Sequence, residues 1–183
     1  MLKKYIGNRE FYRTVFIVAA PIVVQNAVTS FVSLLDNIMV GQVGTLPMSG
    51  VSVTNQLLNI YNLAIFGSVT AVSLFGAQYA GRKDNDGMRY CLRFKLIIST
   101  IVTMIAIVLF LLFGKPLIHL FMDGGTNTAE QIAETAGYAT QYMWIMLIGL
   151  VPFGLSQALG ATVRETGETT LPMISSIVAV IVN

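Results

Sequence analysis

Residues 14–35 read TVFIVAAPIVVQNAVTSFVSLL, a run of 22 residues that contains no Asp, Glu, Lys or Arg. Arg13 precedes the run and Asp36 ends it. A helix of about 20 apolar residues is long enough to cross the hydrocarbon core of a bilayer. The apolar residues do not alternate with polar ones, as they would in a barrel strand. The run therefore predicts a transmembrane helix.

The composition of the whole chain agrees with this prediction. Only 20 of the 183 residues are charged, or 11%, and 55% are apolar, whereas about 25% of the residues in a soluble domain are charged. A soluble domain and a disordered chain are thereby excluded, and a net charge of +2 does not favour a nucleic-acid binder. One Cys and one His leave no disulfide framework and no ordinary zinc site. The sequence contains no catalytic fingerprint and predicts no enzyme.

Further uncharged runs extend the prediction along the chain. They contain 45 residues after Asp36, 19 after Lys95 and 29 after Glu134, and an apolar run follows Glu168. We predict an all-α integral membrane protein with four complete transmembrane helices and the start of a fifth. The predicted helices span about 14–40, 49–80, 96–113, 137–162 and 171–183, with an outer interfacial helix at about 115–122.

The basic residues predict the orientation of these helices. If every apolar run crosses once, the N-terminus, residues 82–95 and the loop with Arg164 lie on one side. Those segments contain ten of the eleven Lys and Arg residues, and Lys115 is the exception. Basic residues mark the cytoplasmic side of a membrane. The N-terminus is therefore predicted to be cytoplasmic.

The last run is short for a crossing. Its 13 residues from Leu171 give roughly 20 Å of helix, and a crossing needs about 30 Å. A carboxylate at Asn183 inside the bilayer would be costly. We expect the sequence to be a fragment, or a truncated gene product, of a larger membrane domain.

Two helices carry stripes of polar side chains. At 100° per residue, Asn26, Ser33 and Asn37 of the first helix fall within about 40° of one line, with Gln25 and Asp36 beside them. In the second helix a line contains Asn55, Asn59 and Asn62. These stripes predict a hydrated, hydrogen-bonding cavity between the helices. The alternative is that the amides bond across a helix pair and only hold it together.

Asp36 is the one charged residue inside a long apolar stretch. A carboxylate within a membrane costs free energy, and its presence there therefore predicts a functional role. Counted from Thr14, however, Asp36 lies about 33 Å along the helix, where the outer headgroups would solvate it. A kink at Pro21 or a tilt of the helix would draw it inward.

The order of these motifs resembles the multidrug and toxic compound extrusion (MATE) family. The first helix matches with AAPIVVQNAVTSFVSLLDNIMVG, and the end of the second with FGAQYAGRKD. The region from Tyr138 through VPFGLSQALGATVRETGETTLPM resembles the family's fourth helix, its Arg-x-x-Gly-Glu/Asp-Thr loop and the Pro-Met of its fifth helix. The resemblance covers nearly all of the chain.

The resemblance implies a fold and a function. The chain would be part of the six-helix N-lobe of a twelve-helix, two-lobe transporter in the plasma membrane. Such transporters export drugs or other organic compounds, often cationic, by antiport with Na⁺ or H⁺ and use no other cofactor and no metal site. Asp36 would respond to the coupling ion or proton, and Asn183 would lie close to the same site. The substrate cavity would be lined by Gln25, Asn26, Ser33, Asn37, Asn55, Asn59 and Asn62. Helix 6 and the whole C-lobe of such a transporter would be missing from this sequence. The fragment alone should therefore not transport.

Three alternatives remain open. The first is a lipid-linked saccharide flippase of the same superfamily, which a cavity rich in Arg would favour; the first two helices contain no Arg or Lys between residues 14 and 81. The second is a truncated membrane protein that does not transport. The third is an intramembrane enzyme, which the small inventory of His and Cys disfavours most.

Overall fold

The described part of the chain folds into five helices. The structure is a computed structural model, and it describes residues 7–122 and 129–182. The helices are α1 (Arg9–Val43), α2 (Thr45–Gly81), α3 (Asn85–Met122), α4 (Ala129–Glu165) and α5 (Thr170–Val182). The first four are long and apolar enough to cross a membrane. The all-α fold and the count of four long helices and a shorter fifth are thus confirmed.

Helices α2, α3 and α4 form the core of the bundle. Their apolar faces meet along most of their length, and the buried side chains follow helical spacing. The largest contributors are Leu57, Tyr61, Ile65, Phe110, Ile118, Met143 and Leu147. Because lipid is as apolar as leucine, packing and interhelical hydrogen bonds hold such helices together in a membrane, rather than the hydrophobic effect.

Small residues let the core helices approach closely. A Cβ atom at Gly50 of α2 would lie 2.9 Å from the backbone of Thr135 and Ala139 in α4. At the centre of the bundle, the Tyr61 hydroxyl donates to the carbonyl of Leu150 and is 2.9 Å from the Thr103 hydroxyl. These contacts place α2, α3 and α4 in one fixed arrangement.

Helices α1 and α5 form a second, more open layer. Asn8 caps α1 by accepting from the Phe11 amide at 2.8 Å, and none of the residues of α1 is buried. Both connections between the layers pass through a glycine with positive φ: Gly44 (139°) before α2 and Gly167 (86°) before α5. Helix α1 packs mainly against α5 and, less extensively, against α2.

Helix α3 differs from the predicted span of 96–113. It begins at Asn85, eleven residues earlier than that prediction, and continues through Pro116 to Met122, so residues 115–122 are its last turns and not a separate interfacial helix. Gly114, Ile118 and Met122 follow at intervals of four and are buried. Packing of this stripe into the core offsets the hydrogen bond that Pro116 removes.

Candidate ion and substrate site

Asp36 lies on an exposed face of α1, seven residues before the helix ends. Its charge acts electrostatically on the hydroxyl of Tyr142 in α4. That hydroxyl is 3.5 Å from the Asn55 side-chain oxygen in α2, to which it donates. Tyr142 therefore connects α4 to α2 by a hydrogen bond, and the Asp36 charge acts on the same hydroxyl.

Three other predicted site residues of α1 are accessible to solvent. Asn26, Ser33 and Asn37 are exposed, and the Ser33 hydroxyl donates to the Thr29 carbonyl within the helix. Pro21 lies inside α1 and does not end it.

Two of the predicted amides of α2 line a groove between α2 and α4. The groove has a volume of about 560 Å³, and its walls include Asn59, Asn62, Phe66, Phe153 and Gln157. Both Asn59 and Asn62 are exposed, so their amides are available to water or to a ligand. An apolar wall with a few convergent amides can accommodate an organic molecule and orient its polar groups.

A second groove lies between α4 and the α1–α5 layer. The Gln25 side chain donates to the Ser176 hydroxyl at 2.8 Å and so connects α1 to α5. Gln25 lines this groove of about 470 Å³ together with Gln157 and Arg164. Gln157 belongs to both grooves, and they are therefore neighbours along α4.

The structure thus separates the predicted site residues into groups. Asn55 bonds to Tyr142, on which the Asp36 charge acts. Asn59 and Asn62 share a groove, and Gln25 bonds to α5. Asn183 lies outside the described residues. Within residues 7–122 and 129–182, there is no group of three His, Cys, Asp or Glu side chains that could hold a metal ion.

One charged pair was missed by the sequence analysis. Lys95, the last residue of the predicted cytoplasmic segment 82–95, is fully buried in α3, and its ammonium group pairs with Glu165 of α4, whose side chain is 6% exposed. The ammonium also donates to the Thr162 hydroxyl at 3.2 Å. Gly76 of α2 packs directly against the Glu165 carboxylate. The pair therefore lies where three helices converge.

A signal for this pair was present in the sequence. Lys95, Ser99 and Thr103 recur at intervals of four, and all three are buried on the face of α3 that meets α4. Such a polar stripe on an otherwise aliphatic helix indicates an interhelical contact. Its partner, Glu165, is 70 residues away and could not be identified from local spacing.

Taken together, the fold and these polar groups define a class of protein. Four apolar helices, polar grooves and one carboxylate within the apolar part of α1 are the features of a multi-pass membrane protein. A model of the MatE family matches residues 21–183, and the chain therefore belongs to this family of multidrug and toxic compound extrusion proteins.

The chain is also similar to curated bacterial proteins. It is 23% identical to a probable multidrug resistance protein NorM of Bacillus licheniformis over 96% of this chain and 37% of that protein. It is 27% identical to the probable multidrug resistance protein YoeA of Bacillus subtilis over 77% of this chain and 29% of YoeA. A NorM protein of Streptococcus pneumoniae is 26% identical over 84% of this chain and 32% of its own length. The chain thus spans about a third of these relatives. No solved structure matches it.

Proposed function

We propose that this chain is the N-terminal part of a secondary active efflux transporter. Its substrates are small organic compounds, often cationic, and export is coupled to inward movement of Na⁺ or H⁺. The protein is multi-pass in the plasma membrane with a cytoplasmic N-terminus, since ten of its eleven basic residues lie on the side of that terminus. Transport then requires the C-terminal part of the same protein.

The position of Asp36 carries this proposal. It is the one charged residue between Arg13 and Arg82, and it acts on Tyr142, which bonds to an amide of the α2 stripe. A carboxylate next to neutral hydrogen-bonding groups attracts a cation without holding it as firmly as a full cage of carboxylates would. Weak and reversible binding is what an exchange site needs.

The mechanism is exchange at one carboxylate. When Asp36 is ionised, its negative charge favours a lipophilic cation, and the Phe66 and Phe153 rings of the groove between α2 and α4 add cation–π attraction. The Asn59 and Asn62 amides orient polar groups of the substrate. Arrival of H⁺ or Na⁺ neutralises Asp36 and weakens substrate binding, and the difference in affinity biases the protein toward its other orientation.

Transport in everted membrane vesicles tests the proposal. The complete protein is assayed for uptake of tetraphenylphosphonium, with a Na⁺ gradient and a proton gradient imposed separately. We expect uptake with at least one of these gradients and expect Asp36→Asn to reduce it to the level of vesicles without the protein. Asp36→Glu, which keeps the charge, should retain part of the activity.

A second carboxylate of the same helix provides the matched control. Glu10 lies in the first turn of α1 and is exposed, so Glu10→Gln removes the same charge outside the apolar run. This variant should transport like the wild type. Full gradient-driven uptake by Asp36→Asn would refute the assignment of the coupling site.

One observation favours a lipid-linked saccharide flippase as the second candidate. The Arg164 guanidinium lines the groove that Gln25 also lines, and a guanidinium binds phosphate in a bidentate manner. In the complete protein, Arg164→Gln should leave tetraphenylphosphonium uptake intact if the substrates are cations. Two results together would favour the flippase. The wild type would flip a fluorescent lipid pyrophosphate analogue without taking up tetraphenylphosphonium, and Arg164→Gln would lose the flipping.

A further inference from the structure

The exposed face at the start of α3 changes abruptly from cationic to apolar. Arg89 and Arg93 are four residues apart, so they lie on one side of the helix. Ile97 and Met104 continue the same line and are 57% and 54% exposed. Tyr90 and Phe94 lie beside this change from cationic to apolar residues, with 68% and 54% of their surfaces exposed. Aromatic rings next to cations are typical of the headgroup level of a bilayer.

The acids nearby leave these cations largely uncompensated. The Asp84 carboxylate accepts from the backbone amides of Asp86 and Gly87, at 3.1 and 3.0 Å, and so caps α3. Asp86 lies 3.4 Å from Arg89, but both side chains are more than 70% exposed, and such a pair contributes little. Among the described residues, Arg93 has no carboxylate within ion-pair distance.

A pocket adjoins this face. It has a volume of about 600 Å³ and lies between the α2–α3 connection and Thr166 in the α4–α5 connection. Lys83 and Arg89 both line it, as does Asp84, whose carboxylate already accepts from the backbone amides that it caps. Arg89 therefore belongs to the pocket and to the exposed line of α3. A phosphate placed there would lie beside cations, and an acyl chain could extend along Ile97 and Met104.

We propose that this face binds one phospholipid with an anionic headgroup. The headgroup phosphate lies between Arg89 and Arg93, with Lys83 at the edge of the pocket, and the acyl chains lie along the exposed apolar residues of α3. The fork of each guanidinium matches two phosphate oxygens. The charge complementarity selects an anionic headgroup, and the apolar line selects a lipid over a soluble phosphate. The site is separate from Asp36 and from the transport proposal.

Native mass spectrometry of the full-length protein tests this proposal. The protein is released from detergent in the presence of equal amounts of phosphatidylglycerol and phosphatidylcholine, and the bound lipid is counted. We expect one phosphatidylglycerol to be retained preferentially. A basic residue near a membrane surface strengthens anionic lipid binding by about fivefold, so Arg89→Gln/Arg93→Gln should reduce the preference by about thirtyfold.

Three comparisons keep the test decisive. Arg89→Lys/Arg93→Lys keeps both charges and should keep most of the preference. Lys115→Gln removes an exposed cation near the other end of α3 and should change nothing. Glycerol 3-phosphate at the same concentration should not displace the lipid. Equal retention of the two lipids by the wild type, an unchanged preference in Arg89→Gln/Arg93→Gln, or displacement by glycerol 3-phosphate would each overturn the proposal.

Discussion

Two regions of the molecule use polar side chains in opposite ways. In the α2–α3–α4 core, polar groups such as Lys95 and Tyr61 are buried and bonded to partners on other helices. On α1, Asp36 and Asn37 are exposed, and none of the residues of the helix is buried. Buried and paired groups hold an arrangement, whereas exposed groups remain free to exchange partners. The buried polar groups therefore hold the scaffold together, whereas the exposed Asp36 of α1 belongs to the proposed exchange site.

The largest expected effect comes from breaking the buried ion pair. Lys95→Met leaves the Glu165 charge buried without its partner and should cost about 3 to 5 kcal/mol of stability. The double variant Lys95→Met/Glu165→Leu removes both charges and should recover most of that loss. Thermal unfolding in detergent measures both, with Arg89→Gln as the control, since that variant breaks only an exposed pair. Equal losses in the single and double variants would show that the pair does not act as a unit.

A smaller effect is expected from the glycines of α2. A Cβ atom at Gly50 would lie 2.9 Å from the α4 backbone, whereas no atom lies within 4 Å of a Cβ at Gly67. Gly50→Ala should therefore destabilise the bundle by about 1 to 3 kcal/mol. Gly67→Ala should be neutral or stabilising by up to about 1 kcal/mol, because alanine favours the helix. If both variants unfold at the same temperature, α2 and α4 are not in close contact at Gly50.

A still smaller loss of stability is expected from removing the buried Tyr61 hydroxyl. Tyr61→Phe removes the hydroxyl that bonds to Thr103 and Leu150, and interhelical hydrogen bonds in membranes contribute about 0.6 kcal/mol on average. The melting temperature should fall slightly, whereas Tyr90→Phe, at an exposed position, should leave it unchanged. A drop as large as that of Lys95→Met would indicate that Tyr61 also supports a wider network.

The smallest effect on stability is expected on α1. Asn26→Ala and Asn37→Ala change exposed side chains and should change the free energy of unfolding by no more than about 0.5 kcal/mol. The same variants should weaken substrate uptake, because these amides belong to the predicted cavity. A large loss of stability would place these side chains in a structural contact and would remove the contrast between α1 and the core.

Much of the fold could be predicted because a bilayer imposes a length on every apolar run. The runs after Arg13 and Lys95 identify helices α1 and α3 without any knowledge of tertiary contacts. Their ends are harder to predict, since the charge of Lys95 favours a loop and residues 115–122 are predicted as a separate interfacial helix. Lys95 and Pro116 both lie inside α3, because packing against α4 outweighs the local preference.

The candidate site was predictable only in part, for a related reason. The helical period places Asn55, Asn59 and Asn62 on one face of α2, and Asn59 and Asn62 do share a groove. The other wall of that groove comes from Phe153 and Gln157 of α4, about 90 residues later in the chain. Which residues complete a site depends on how helices pack, and that information is not contained in the spacing within one helix.

Binding of tetraphenylphosphonium to the complete purified protein tests the central claim most directly. Its affinity is measured as the Na⁺ concentration rises at constant pH, and again as the pH falls at constant Na⁺. The account predicts that one of these ions weakens binding to the wild type and that binding to Asp36→Asn is weak and independent of both. The same ion dependence in Asp36→Asn as in the wild type would contradict the claim that α1 provides the exchange site.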